Sequence, residues 1–307
     1  MDSGRAGAHD TAVASAEDRR TISLGIALPA FCGMVALLVL LLPGEVPEAG
    51  RAVAVFAGLG AVSLLAEALQ RRLPRLRPLV VPLAAGGLLF AIYSALSLVI
   101  PWVLPEDREW TILGLDRRLF GYTWEGVWQG LASPLLSDLL QAVYTSFYLF
   151  PFLLGLRWAR RRDWPTLFQG VDRVIVGFLI SYCGYLLVPT RSPYAFVHYA
   201  TALPSHGLQP FLHERLISTS WTKRDCFPSG HVMMSSYIAW LCWCRDRAWF
   251  RLFGPWALLT AAATLYLRYH YLVDVVAGLL FSAVWILASE RLWGRFRDLP
   301  RPGEAPA

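Results

Sequence analysis

The residue types best suited to moving a phosphoryl group or a proton near neutral pH stand in two short strings, Pro228-Ser229-Gly230-His231 and His270-Tyr271-Leu272-Val273-Asp274, each at the start of a long apolar run. Imidazole titrates close to physiological pH, and a histidine seldom belongs in hydrocarbon without a partner. On a helix, residues four apart lie on one face, so Asp274 can accept a hydrogen bond from the His270 ring. A carboxylate there fixes the tautomer, leaves the other ring nitrogen as a lone-pair nucleophile and stabilises the positive charge that attack creates. The first string puts Ser229 and Gly230 at a helix start, where unpaired N–H groups and the helix dipole attract an anion and glycine permits close approach to the backbone. His231 then sits beside a bound phosphate, placed to protonate a leaving oxygen. Either string alone is a common turn or a chance spacing. What joins them is that both open apolar spans on the same side of the topology that follows.

Those spans come from composition. The chain has 307 residues, 56% of them hydrophobic, 13 tryptophans and a mean hydropathy of +0.45, too apolar for an ordinary soluble domain. Several runs reach about 20 residues, the length that crosses a bilayer. The expected fold is all-α and polytopic, with about eight transmembrane helices over Thr21–Leu42, Ala52–Leu69, Leu79–Leu104, Pro134–Leu156, Val174–Val188, Pro228–Cys244, Phe253–Leu267 and Tyr271–Leu292. Residues 1–20 read as a cytoplasmic tail, 21–78 as two accessory helices, 79–292 as a six-helix catalytic core and 293–307 as a second tail. The start of the chain lacks the basic, then apolar, pattern of a cleaved signal peptide, so the first apolar run is expected to be a retained helix.

Basic residues in short loops stay on the cytoplasmic side. The clusters Arg19–Arg20, Arg71–Arg77, Arg157–Arg162, Arg245–Arg251 and Arg295–Arg301 all fall on one side of the eight-span arrangement. Both termini are then cytoplasmic, and Arg191, His231 and His270 emerge on the opposite face; the expected location is a bacterial inner membrane, with the site facing the periplasm, or an organelle lumen in a eukaryote. These clusters also account for the pI of about 9.2 and the charge of +6, leaving no basic stripe for nucleic acid. Between the spans, Pro105–Ser133 is Trp-rich and amphipathic, with Trp110, Trp124 and Trp128 suited to the headgroup layer, and Pro189–Phe227 carries several cations and histidines.

With these strings in place, the chain resembles the type-2 phosphatidic acid phosphatase superfamily through roughly its last two thirds. That superfamily uses a Pro-Ser-Gly-His block and a later His-x-x-x-Asp block. Its first block is a lysine, six spacers and Arg-Pro; here Arg191-Ser192-Pro193 lies at the matching place, with Gly184 at the lysine position. Its third block carries Ser-Arg before the histidine, where Ala263 and Thr264 stand here. The departures resemble the branch of aureobasidin-resistance proteins and inositol phosphorylceramide synthases, through Pro189-Thr190-Arg191-Ser192-Pro193, Tyr266 to Asp274, Asp116 to Gly121, and Tyr144 with Tyr148. Gly230, where that branch has leucine, points back toward the phosphatases.

A phosphate needs cations, and the available ones on that face are Arg191, Arg268, Lys223 and Arg224. Arg191 matches the first block; Arg268 either faces the phosphate or snorkels to headgroups. Cys32, Cys183, Cys226, Cys242 and Cys244 suggest no pairing and read as packing residues; Cys226 falls in the extracytoplasmic segment, where it would report accessibility. No Cys-x-x-Cys pair or carboxylate cluster marks a metal, so metal-free chemistry without a cofactor is expected. His198, His206 and His213 read as loop residues, and Glu67 and Asp138 as acids solvated at a membrane face.

The expected activity is phosphoryl transfer on a membrane phospholipid through a phosphohistidine at His270. A lipid acceptor such as ceramide or diacylglycerol makes an inositolphosphotransferase-like enzyme of sphingolipid or phospholipid metabolism. Water makes a lipid or polyprenyl phosphate phosphatase. A non-catalytic lipid-binding or transport protein is the third reading, disfavoured because His231, His270 and Asp274 are all present. Nothing in the sequence indicates an oligomeric state.

Overall fold

A computed structural model of the chain describes residues 21–42, 46, 48–104, 108–121, 128–199, 201–219 and 223–301. The tails 1–20 and 302–307, and Trp124, lie outside the described residues. Among those described the regular elements are all helices, as expected for segments that must satisfy every backbone group within hydrocarbon. The main helices are α1 (Ser23–Leu41), α2 (Ala49–Arg72), α3 (Arg77–Ala95), α4 (Glu109–Phe120), α5 (Pro134–Ser146), α6 (Phe150–Arg160), α7 (Trp164–Leu187), α8 (Leu208–Thr219), α9 (Gly230–Arg245), α10 (Arg247–Tyr266) and α11 (Leu272–Trp293).

Among the described residues, α1, α2, Pro74–Leu98 with α3 at its centre, α7 and α11 are long and apolar enough to cross a membrane, and α5 with α6, bent by 52°, makes a sixth candidate. The expected Pro134–Leu156 span is therefore a broken one. The sixth and seventh expected spans, Pro228–Cys244 and Phe253–Leu267, coincide with α9 and α10, which are not among these candidates, so the described residues hold five or six candidate spans where eight are expected. Helix α9 is only 16 residues long, but its neighbours bury most of its side chains, so little of it needs to face lipid.

Helix α7 starts at Trp164, well before the expected Val174. Asp172 and Arg173 look like a membrane flank in sequence, yet both are buried and hydrogen-bonded inside the bundle. The Asp172 carboxylate accepts the Ile22 and Ser23 amides at 3.1 and 2.8 Å, which ties down the start of α1. Arg173 donates to the Gly294 carbonyl at 2.7 Å and to Gln169 at 3.2 Å. Glu67 and Asp138 are likewise buried and bonded rather than solvated. Glu67 pairs with Arg71 at 2.8 Å and receives Gln70, while Asp138 accepts from Ser205 Oγ and from the His206 and Gln209 amides, capping the start of α8.

Helices α1, α2 and α3 pack around Leu28, Val35, Phe56, Val81 and Ile92 and join α7 through Ile175 and Leu179. A second core of α6, α7, α9, α10 and α11 centres on Met234, Tyr237, Phe253 and Trp285. Arginines of the Arg157–Arg162 and Arg245–Arg251 clusters meet at one end of the bundle. Asp246, which caps α10, receives Arg157 at 2.8 Å and Arg161 at 3.0 Å, and Arg245 meets Asp163 at 3.2 Å. Burial alone would raise the Asp246 carboxyl, but the Arg157 hydrogen bond and the two guanidinium charges hold it below the usual carboxylate range. At the opposite end, Cys226 N–H donates to the Thr190 carbonyl at 3.1 Å, Tyr194 N–H to Arg268 at 2.8 Å and Ser229 N–H to Asp274 at 3.1 Å. These ties gather the loops before α8, α9 and α11 into one floor.

Candidate active site

Both histidine strings sit in that floor. The His270 and Tyr269 amides share the Thr264 carbonyl, at 3.1 and 2.9 Å, which closes the turn after α10. His270 precedes α11, so the expected stacking of His270 and Asp274 on one helix face does not occur. Asp274 instead folds back over the first turn: its Oδ2 receives the Tyr271 amide at 2.9 Å and lies 3.5 Å from His270 Nδ1, the outer limit of a hydrogen bond. The pair the sequence suggests is thus present, by a different local route. His270 is 4% exposed and Asp274 fully buried. Asp116 on α4 accepts the Val273 amide at 2.7 Å, so the Asp116–Gly121 string anchors the same helix start.

His231 opens α9 on the facing side, its ring centroid 6.1 Å from that of His270. Tyr144 stacks on it at 4.2 Å and brings its hydroxyl to 3.4 Å from Nδ1, while Phe147 packs at 4.3 Å. The imidazole is clamped between rings, and its Nε2 has no hydrogen-bond partner among the described residues. Tyr269 extends the stack: it packs on Tyr144 at 4.4 Å, donates to Gln141 at 3.0 Å and meets His213 Nδ1 at 2.6 Å. His213 is therefore part of the wall behind the site rather than an ordinary loop residue, and burial holds its pKa below the usual histidine value.

Both histidines line one cavity of about 820 Å³, together with Gly230, Ser192, Asp225 and five tyrosines, 93, 144, 148, 182 and 185. Beyond them it runs between α3, α6 and α7 to Leu79, Trp158 and Gly170. From Tyr185 to Gly170 along α7 is a rise of about 22 Å, most of the thickness of a hydrocarbon core. Leu79, Leu83, Phe90 and Phe152 line the cavity and are also exposed on the bundle's flank, so the groove opens sideways.

The expected cations are arranged differently around this floor. Arg191 is clasped by Glu109 of α4, whose Oε1 accepts both the Arg191 amide at 2.9 Å and Nε at 2.8 Å. Its neighbour Ser192 lines the cavity. Arg268, in a left-handed turn, donates to Thr201 at 3.0 Å and lies 3.9 Å over the Tyr199 ring, in a small separate pocket. Lys223 is exposed, and Arg224 contributes its carbonyl to the Thr190 amide. None of Arg191, Arg268, Lys223 and Arg224 lines the histidine cavity; Arg191 comes nearest in sequence, through Ser192.

One expectation about the first string is corrected, and glycine at 230 gains a second reason. The Ser229 amide is committed to the Asp274 carbonyl and its hydroxyl caps the Val232 amide at 3.3 Å, so Ser229 holds the two strings together instead of facing an anion. At Gly230 an added side chain would collide with the Tyr185 hydroxyl and Ser181, so glycine here admits Tyr185. The Gly230 and His231 amides, at the first two positions of α9, remain the helix-start donors beside the cavity. Gly184, at the lysine position of the resemblance, abuts the Pro228 ring, which leaves no room for a side chain.

Sequence reasoning passed over three residues here. Cys226, read as packing or as an accessible reporter, is 1% exposed, and its thiol donates to Asp274 Oδ2 at 2.9 Å and lies 3.5 Å from His270 Nδ1. Burial and the Asp274 charge push the thiol well above its ordinary pKa. Asp225 receives the Tyr93 hydroxyl at the cavity wall. Glu109 holds Arg191. The first two stand two and three residues before the Pro-Ser-Gly-His string, which is a usable signal; Glu109 has none.

Comparison with known proteins bears on the family. Residues 110–288 match the PAP2 superfamily. A PA-phosphatase related-family protein of Dictyostelium discoideum is 26% identical over 216 residues, which is 61% of this chain and 37% of that protein, so the chain spans little more than a third of that relative's length. No solved structure matches the chain. An all-helical bundle with several membrane-crossing helices and both histidine strings in one floor is the setting of that match, and the chain belongs to the PAP2 superfamily.

Proposed function

We propose that the protein is a lipid phosphotransferase or phosphatase that works through a phosphohistidine on His270. The observation that carries this reading is the single cavity that joins two facing histidines to a long apolar groove open at the bundle's flank. A phosphate esterified to a lipid matches both parts. The headgroup lies between the rings, and the chain lies along α3, α6 and α7.

With Nδ1 turned to Asp274, Nε2 of His270 is the atom left to attack phosphorus. The bond from phosphorus to the lipid oxygen breaks, and His231 delivers the proton to that oxygen. The Gly230 and His231 amides and Arg191, steadied by Glu109, are the groups offered to the phosphoryl oxygens. His231, now neutral, then takes the proton of the acceptor, which attacks phosphorus and frees His270. Water as acceptor gives a phosphatase; a lipid hydroxyl gives a headgroup transferase. The resemblance to the inositol phosphorylceramide synthase branch favours transfer, and Gly230 favours the phosphatase. The arginine-rich end is placed on the cytoplasmic side, and the histidines on the extracytoplasmic face.

The test is purified protein in mixed micelles with phosphatidic acid, phosphatidylinositol plus ceramide, and a polyprenyl diphosphate. Free phosphate and new phospholipid are separated and measured. Turnover that persists in both His270→Ala and His231→Ala would overturn the reading.

A further inference from the structure

Resting on the reading of His270 as nucleophile, we propose that Cys226, His270 and Asp274 form an inhibitory site for a thiophilic divalent cation of the zinc or cadmium type. Three different ligand atoms, Cys226 Sγ, His270 Nδ1 and Asp274 Oδ2, lie within 4.8 Å of one another, and all three residues are buried. The edges of the triangle are 3.5 Å from sulfur to nitrogen, 3.5 Å from nitrogen to oxygen and 2.9 Å from sulfur to oxygen. Tetrahedral zinc with its ordinary bond lengths to sulfur, nitrogen and oxygen requires edges of about 3.3–3.6 Å. Two edges already fit, and the third opens by about 0.6 Å when the thiol proton that holds sulfur to oxygen is replaced by the metal.

A second observation points to the same place. Asp274 Oδ1 is fully buried and has no hydrogen-bond partner among the described residues, an acceptor that a bound cation or its water would satisfy. His270 lines the cavity, which supplies the path of entry. The ligands come from two loops and the first turn of α11, with Cys226 44 residues before His270, so no short motif announces them.

The consequence for catalysis follows from the atom used. Binding releases one proton, that of the thiol, and draws the imidazole proton from Nδ1 to Nε2. The Nε2 lone pair is then gone, and Asp274 is taken up by the metal. Zinc here stops the reaction at the nucleophile without occupying the lipid groove.

The site is tested on the full-length protein in detergent. Zinc-loaded wild type is measured by X-ray absorption, and cadmium is titrated while the ultraviolet thiolate-to-metal band is followed, in wild type and in Cys226→Ser. The expected zinc shell holds one sulfur among nitrogen and oxygen, and the expected cadmium band is lost in the variant. Loss of even an outer partner costs about 10–100-fold in metal affinity, so Cys226→Ser should need at least about 100-fold more zinc to halve its own rate. A shell without sulfur, or equal zinc sensitivity of the two proteins, overturns the proposal. Should Cys226→Ser not fold, the absorption measurement on wild type decides alone. Because both metal readouts are independent of turnover, an absence of activity on every lipid would overturn the phosphohistidine reading while the metal site stands or falls on its own data.

Discussion

Replacing Asp274 by asparagine removes one charge while leaving an oxygen that can still accept the Tyr271 amide, now held at 2.9 Å. The carboxylate lies 3.5 Å from His270 Nδ1. Two unit charges at about that distance interact by about 5 kcal/mol at an effective dielectric of about 20. The imidazolium is roughly half developed at the transition state, so about 2.4 kcal/mol, or about 50-fold in rate, is at stake from charge alone. An amide that can donate as well as accept also loosens control of the tautomer, and the combined loss should fall at about 10²–10⁴-fold. The assay is the initial rate of diacylglycerol release from the donor lipid that the wild type turns over best, with lipid concentration varied. The expected loss is in kcat, with KM little changed, because Asp274 is buried away from the groove. A well-folded Asp274→Asn protein that keeps more than about a tenth of wild-type kcat would refute the reasoning.

Gly184→Lys, which would restore the lysine of the superfamily's first block, should lower thermal stability and activity together, because its Cβ would run into Pro228; unchanged melting would show that the loop yields freely. Asp116→Ala frees the Val273 amide and should cost about 1.5–3 kcal/mol as a lost charge-assisted bond, read as a fall in melting temperature. Cysteine at His206, which is exposed, should react with an impermeant maleimide in intact cells, and cysteine at Arg161 only after permeabilisation. The reverse pattern would invert the orientation and move substrate access to the other leaflet.

The helices themselves were legible because apolar runs of membrane length leave little choice of backbone. Their ends were less so where charge was satisfied by remote partners. Asp172 and Arg173 look like a flank, and only the Ser23 amide and the Gly294 carbonyl, far off in sequence, show why α7 continues through them. That His231, His270 and Asp274 lie close together was legible because they stand in two short strings that open neighbouring helices. The residues around them were not. Cys226 reaches Asp274, Asp116 reaches Val273 and Glu109 reaches Arg191 across 48, 157 and 82 positions, separations that no local pattern encodes. The same limit hides the second reason for glycine at 230, whose missing side chain accommodates Tyr185.

The central claim is a covalent phosphorus bond to His270, and rapid quenching tests it most directly. Protein mixed with lipid labelled at phosphorus is stopped in alkali within the first turnover, digested and mapped. The account predicts label that is stable to base and labile to acid, on the peptide carrying His270 and absent from His270→Ala, with accumulation when acceptor is withheld. Product formed in the first turnover with no label on that peptide at any time would contradict it.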